Sequence, residues 1–239
     1  MGVVRCRASP ADLLTLYGVP ADDPERERVL ELTKQANAPG WWHRYSDLLP
    51  QWFQPFIGLE RAASLIRTYE AQYVPGLLQT PEYARALMHH GHQRASAEEI
   101  ERRVDLRLER QQVLRGYSAP TLWAVIDEAA LRRPIGTAQV RRAQLEALVE
   151  ASRQPNIKIQ IMPFTSGGHG AMGGSFTVLR FSEEDLSSVV YLELLTSALY
   201  LDRQQDVDAY GEAMEWLCLE ARSPDQTAVF IEVLLKEMP

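Results

Sequence analysis

The stretch from Tyr69 to Leu87 constrains the fold more than any other. Pro75-Gly76 punctuates the backbone, because proline fixes φ and glycine tolerates conformations closed to other residues. Thr80-Pro81-Glu82 then reads as a helix N-cap followed by proline at the first helical position. The spacing predicts an extended segment entering from Ile66, a turn at Pro75-Gly76 and a helix after Thr80. Helical signals dominate before this stretch. A charged helix and several strand-like runs follow it.

Helix starts are marked at Ser9-Pro10-Ala11-Asp12 and Asp23-Pro24-Glu25, with stops at Gly18 and Pro39-Gly40. Val29, Leu30, Thr33 and Ala36 give the second helix one apolar stripe. An aromatic-dense segment follows: Trp41, Trp42, Tyr45, Trp52, Phe53 and Phe56, interrupted by Pro50 and Pro55. Rings this close together must bury much area. They either clamp the N-terminal helices to the main body or form a partner surface or a ligand-pocket wall. Helical spacing returns from Leu59 to Leu65.

Residues 96–114 form the clearest helix. Ser96-Ala-Glu-Glu99 is a capping box, and Ile100, Val104 and Leu108 form an apolar row. Beside that row run Arg103, Arg107 and Arg110, with Gln111. Glu98–Arg102 and Glu99–Arg103 have the favourable i, i+4 order. The arginines form either a solvated, salt-bridged face or an anion-binding row.

From Thr121 the period changes. Leu122–Ile126 reads as a strand ending at Asp127-Glu128, and 137–152 as a helix with Val140, Ala143, Leu145, Leu148 and Val149 inward. Ile157, Ile159 and Ile161 alternate with Lys158 and Gln160, a strand with one wet face. Strands over 176–181 and 189–194 follow, which suggests a βαβ unit extended by an antiparallel pair, with the strand entering Tyr69 in the same sheet. Val207, Tyr210, Met214, Leu217 and Ala221 form a helical stripe. Ser223-Pro224-Asp225-Gln226 reads as a capping box opening a last helix that buries Phe230, Ile231, Leu234 and Leu235. The expected fold is α+β: a small mixed β-sheet flanked by N- and C-terminal helices.

Several motifs resemble those of a domain of unknown function that follows the Xre-type helix-turn-helix of many actinobacterial, antitoxin-like regulators. Val74-Pro-Gly-Leu-Leu-Gln-Thr-Pro-Glu-Tyr-Ala-Arg85 carries the resemblance. Trp41-Trp42, Arg107-Leu-Glu-Arg-Gln111, Asp127–Arg133, Met162-Pro163 and Val190-Tyr-Leu-Glu193 extend it over almost the whole chain. Of the helix-turn-helix itself only about the last helix has a counterpart, near Ser9–Gly18. The resemblance therefore implies two parts: a helical remnant over 1–40 and an α+β regulatory domain over 41–239. It implies a regulatory or sensory role in transcription regulation, exercised on a small-molecule ligand, a small partner protein or a second copy as a homodimer. DNA is expected to be reached only through the missing N-terminal helix-turn-helix.

Composition agrees with that division of labour. The 239 residues carry a net charge of −7, which argues against a surface built for nucleic acid. Cys6 and Cys218 form no Cys-x-x-Cys pair, no apolar run reaches membrane-spanning length and Met1–Ala8 lacks a signal-peptide core, so a cytoplasmic protein is expected.

No catalytic residue, metal or cofactor is assigned from the sequence. Gly168-His-Gly-Ala-Met-Gly173 spells a dinucleotide fingerprint but lies between two strands, where no helix N-terminus meets a pyrophosphate. It reads instead as a flexible connection over a neighbouring site. His89, His90 and His92 suit a helix C-terminus as cations, with Gly91 as the stop. The candidate ligand-binding residues are Glu70, Gln79, Arg103, Arg107, Gln111, Glu128 and Glu193. An acid or a backbone carbonyl from the strand region is the expected partner of Arg107, with Glu128 and Glu193 as the available acids. The alternative function is an enzyme using Glu128, Glu193 and the Arg103/Arg107 row in a pocket under the Gly167–Gly174 loop.

Overall fold

A computed structural model describes residues 9–36, 40–183 and 186–238, with the backbone alone for 31–36. Cys6, the stop at Pro39 and the side chains of Thr33 and Ala36 lie outside the described residues. Two compact units divide between His43 and Arg44, so the aromatic segment is shared between them, Trp41 and Trp42 in the first and Tyr45 onward in the second.

In the first unit, α1 (Pro10–Leu16) begins at the expected N-cap Ser9, which forms a capping box with Asp12, and α2 (Pro24–Ala36) follows. Gly18, at φ 75°, ends α1 in the left-handed conformation that glycine favours. Arg26 ties the two helices by donating to the carbonyls of Val19 and Ala11 at 2.9 and 3.0 Å.

The second unit is built on a six-stranded mixed sheet of order β3-β2-β1-β4-β5-β6. Its strands are β1 (Leu65–Glu70), β2 (Thr121–Asp127), β3 (Ile157–Met162), β4 (Phe176–Arg180), β5 (Val189–Glu193) and β6 (Ala198–Leu201). β1, β2 and β3 run parallel, and β4, β5 and β6 add antiparallel steps from β1 outward. The strand entering Tyr69 is thus central. The antiparallel strands extend the sheet from its edge, not from β3, and β6 is a further strand that the sequence reading does not anticipate.

The helices are α3 (Phe53–Ala62), α4 (Pro81–Gly91), α5 (Ala97–Arg110), α6 (Glu128–Arg132), α7 (Ala138–Ala151), α8 (Gln204–Glu220) and α9 (Pro224–Glu237). Thr80, Ser96 and Thr137 cap α4, α5 and α7 as their spacing predicts. Some local expectations fail. Pro55 lies inside the first turn of α3, where a missing N–H loses no helical bond. Gly91 is helical, and His92 caps α4 instead. Ser223 makes no side-chain cap bond. Ala143 is exposed, and the buried positions beside Leu145 and Leu148 include Gln144.

Successive strand residues face opposite sides of the sheet. On one face Ile66, Leu122, Ala124, Ile126, Ile157, Ile159 and Ile161 form the main core with residues of α3, α4, α6, α7 and α9. On the other, Tyr69, Val125, Met162, Val178 and Val190 pack against Met214 and Leu217 of α8. That second layer corrects the wet face expected for β3. Lys158 is exposed, but Gln160 is buried and satisfied: it accepts from Trp123 Nε1 at 2.8 Å and donates to the carbonyls of Cys218 and Arg222.

Candidate functional site

The core-side face changes character along the sheet. Over β2 and β3 it is aliphatic and filled. Over β1, β4 and β5 the residues turned to the same side are Thr68, Glu70, Thr177, Tyr191 and Glu193, and a cavity of about 320 Å³ opens above them. Its roof is the arginine row of α5, and its side wall is Trp52, Phe53 and Phe56. Phe56 stacks on Tyr191 with ring centroids 4.0 Å apart, so the wall is anchored to the sheet.

α5 presents two charged faces. Arg102, on the outer one, forms a bidentate pair with Asp47 at 2.7 and 2.9 Å. The i, i+4 pairs expected along the helix do not form, because Glu99 is occupied in the capping box and Arg103 donates to the Glu99 carbonyl at 3.2 Å. Arg103, Arg107 and Arg110 face the cavity. Arg110 is paired: its Nε and Nη2 donate to both oxygens of Glu60 at 2.5 and 2.8 Å. It also lies 5.2 Å from the ring centres of Phe53 and Phe56.

Arg107 differs. Its one hydrogen bond among the described residues runs from Nη1 to Gln79 Oε1 at 3.1 Å, and no carboxylate pairs with it. Neither the acid nor the backbone carbonyl expected from the strand region is therefore its partner among the described residues. Burial, with Arg110 beside it, pushes its pKa down to about 10, which leaves it cationic at neutral pH. Gln79 is itself buried and donates to the Val74 carbonyl at 2.7 Å, while Gln111 holds the turn by donating to the carbonyls of Gly76 and Gln79 at 3.0 and 2.8 Å. Buried Gln144 of α7 locks the same segment, accepting from the Thr80 N–H and donating to the Leu78 carbonyl.

On the sheet, burial raises the pKa of Glu70 to about 7, against the pull of the Ser175 hydroxyl and with the Glu193 carboxylate adding repulsion. Among the described residues Trp52 Nε1, Glu70 Oε2, Arg103 Nε and Tyr191 Oη are buried without a hydrogen-bond partner, and all four residues line this cavity. Buried polar atoms are satisfied with few exceptions, so four around one space mark a place where a bound molecule would complete the bonding. At the cavity margin, burial and Arg103 hold the His92 imidazole below its usual pKa, which does not suit the cationic helix-terminal role expected of it.

Of the seven candidate residues, Glu70, Arg103, Arg107 and Glu193 line the cavity. Gln79 and Gln111 stand behind Arg107 as its support. Glu128 does not join them. It opens α6, where it accepts from Arg132 Nε at 2.6 Å and from the Phe164 N–H at 2.9 Å. The proposed Glu128/Glu193 pair is thus not assembled. Nor does the Gly167–Gly174 loop line the cavity. His169 points instead to the α8 side, with Nε2 3.1 Å from the Tyr69 hydroxyl and Nδ1 accepting from the Ala171 N–H. Tyr69 donates in turn to Asp127 at 3.3 Å, so these groups satisfy one another.

Tyr191, Thr68 and Glu60 are site residues that the sequence reading misses. The first two were reachable by period-2 spacing from Glu193 and Glu70. Glu60 carried no local signal. Among the described residues no group of three or more His, Cys, Asp or Glu is arranged to hold a metal ion. No helix there is long and apolar enough to cross a membrane.

The model of one family, described as a domain of unknown function (DUF5753), matches residues 53–233. The chain belongs to the DUF5753 family. The match takes in the whole sheet and every cavity residue from Phe53 onward. No curated protein and no solved structure matches the chain.

Proposed function

We propose that this DUF5753 chain is the regulatory or sensory domain of an Xre-type helix-turn-helix transcriptional regulator, working in the cytoplasm, and that its signal is a small molecule held between the sheet and α5. The observation that carries the ligand reading is the set of four orphaned polar atoms around one cavity of about 320 Å³, within the range of about 300–1,000 Å³ common for small-molecule sites. The link to transcription rests on the motif resemblance, and the acidic balance of −7 fits a domain that leaves DNA contact to another segment. Self-association belongs to the same proposal: Trp216 and Leu219, one turn apart on α8, are exposed, an apolar patch suited to a homodimer.

The test is mass spectrometry of small molecules released from the natively purified protein, with Arg107→Met as the comparison. A molecule recovered from wild type and lost from the variant supports the reading. Recovery of none, with a melting temperature unmoved across a metabolite library, overturns it. Light scattering over a wide concentration range tests the homodimer, and a monomer mass throughout would refute it.

A further inference from the structure

The ligand's chemistry is written in the charges that find no partner. Arg103 and Arg107 project from successive turns of α5, so one bound group can meet both. Across the cavity Glu70 ends β1 and Glu193 ends β5, both on the face turned toward α5. Among the described residues neither arginine pairs with either carboxylate. Arg103 bonds a backbone carbonyl, Arg107 bonds an amide, and Glu70 Oε2 bonds nothing. The third arginine is neutralised by Glu60. Two cations and two carboxylates therefore face one space from opposite sides.

We propose that this cavity takes a small zwitterion with an apolar or aromatic body, its anionic group on Arg103 and Arg107 and its ammonium group on Glu70 and Glu193. A simple anion would satisfy the guanidinium side and leave the buried Glu70 oxygen without a partner, with Glu193 at the exposed rim beside it. A simple cation would do the reverse. A buried charged group without a partner is costly, so a single-charge ligand leaves either Glu70 or the arginine side uncompensated, and Glu193 at the exposed rim adds attraction for the ammonium group. Between the two ends, Trp52, Phe53 and the Phe56–Tyr191 stack offer an apolar surface, and the indole N–H of Trp52 and the hydroxyl of Tyr191 remain free to bond polar atoms of the body. This assignment rests on reading the cavity as a ligand site.

Calorimetry with L-tryptophan, L-phenylalanine and L-leucine, each beside its deaminated acid and its decarboxylated amine, tests the charge pattern. At least one amino acid should bind at least about tenfold more tightly than both of its analogues, since each analogue strands one charged wall. Arg107→Met should erase the preference over the amine, and Glu193→Gln the preference over the acid. An acid or amine that binds as tightly as its parent, or no binding by any member of the series, overturns the zwitterion. The native mass-spectrometry experiment separates the two readings. A co-purifying molecule with a single charge that is lost from Arg107→Met refutes the zwitterion and leaves the cavity a ligand site, whereas no molecule from any preparation counts against both.

Discussion

Arg107 Nη1 lies 3.1 Å from Gln79 Oε1, while Arg110, on the same face of the same helix, grips both oxygens of Glu60. One buried guanidinium is held by a neutral amide and the next by a carboxylate. Removing the two should have opposite consequences. Arg110→Met abandons a buried Glu60 carboxylate and should cost about 3–5 kcal/mol. Arg107→Met strands only an amide oxygen and relieves a desolvated cation, so its stability should fall by less than about 1–2 kcal/mol. Urea denaturation of the two variants checks the contrast, and equal losses would contradict it.

Glu70 should shape the pH dependence of stability. Its folded pKa is about 7, above its ordinary 4.5, so the folded state binds more protons than the unfolded one between those values. Stability must then fall as pH rises through that window and level off above it, by about 1–3 kcal/mol in total. Glu70→Gln should flatten this part of the profile and stabilise the protein at pH 8. A wild-type slope unchanged in the variant would assign the effect to other groups.

Gly76→Ala probes how closely the turn approaches the arginine. A methyl group there would sit 2.7 Å from Arg107 Nη1, and the backbone φ of Gly76 is not in the left-handed region, so the side chain must give way and not the main chain. Binding of the cavity ligand should weaken by about tenfold or more, as for a misplaced recognition group, with a melting temperature close to wild type. Calorimetry beside a thermal melt reads both.

Gln144, 1% exposed, bonds the Thr80 N–H at 2.7 Å and the Leu78 carbonyl at 2.8 Å. Gln144→Leu removes both partners at once and should destabilise by about 2–4 kcal/mol, because two buried backbone groups are left unsatisfied. Gln144→Glu can still accept but cannot donate when ionised, so its loss should grow as pH rises above the carboxyl range. Chemical denaturation at two pH values tests this.

The chain should not bind duplex DNA specifically at physiological salt, given its net charge of −7. A mobility-shift assay in which it retained a short operator against competitor DNA would refute this.

Local signals in the sequence were enough to place most elements. Ser9, Thr80, Ser96 and Thr137 each cap a helix by bonding a backbone N–H three residues on, an interaction that needs no distant partner. The alternation of Ile157, Ile159 and Ile161 likewise places a strand and its core face, and the arginine row of α5 was legible as one face of a helix. Partner choice was not legible. Which group meets Arg107, which acid neutralises Arg110 and whether Gln160 is wet depend on surfaces 28 to 62 residues apart in the chain. The central position of β1, with β4 beside it, brings Glu193 to the cavity, while the opening of α6 takes Glu128 to Arg132 and Phe164. Side-chain periodicity assigns a residue to a face. Only the packing of sheet and helices decides what that face meets, because desolvation and pairing are properties of the two surfaces together.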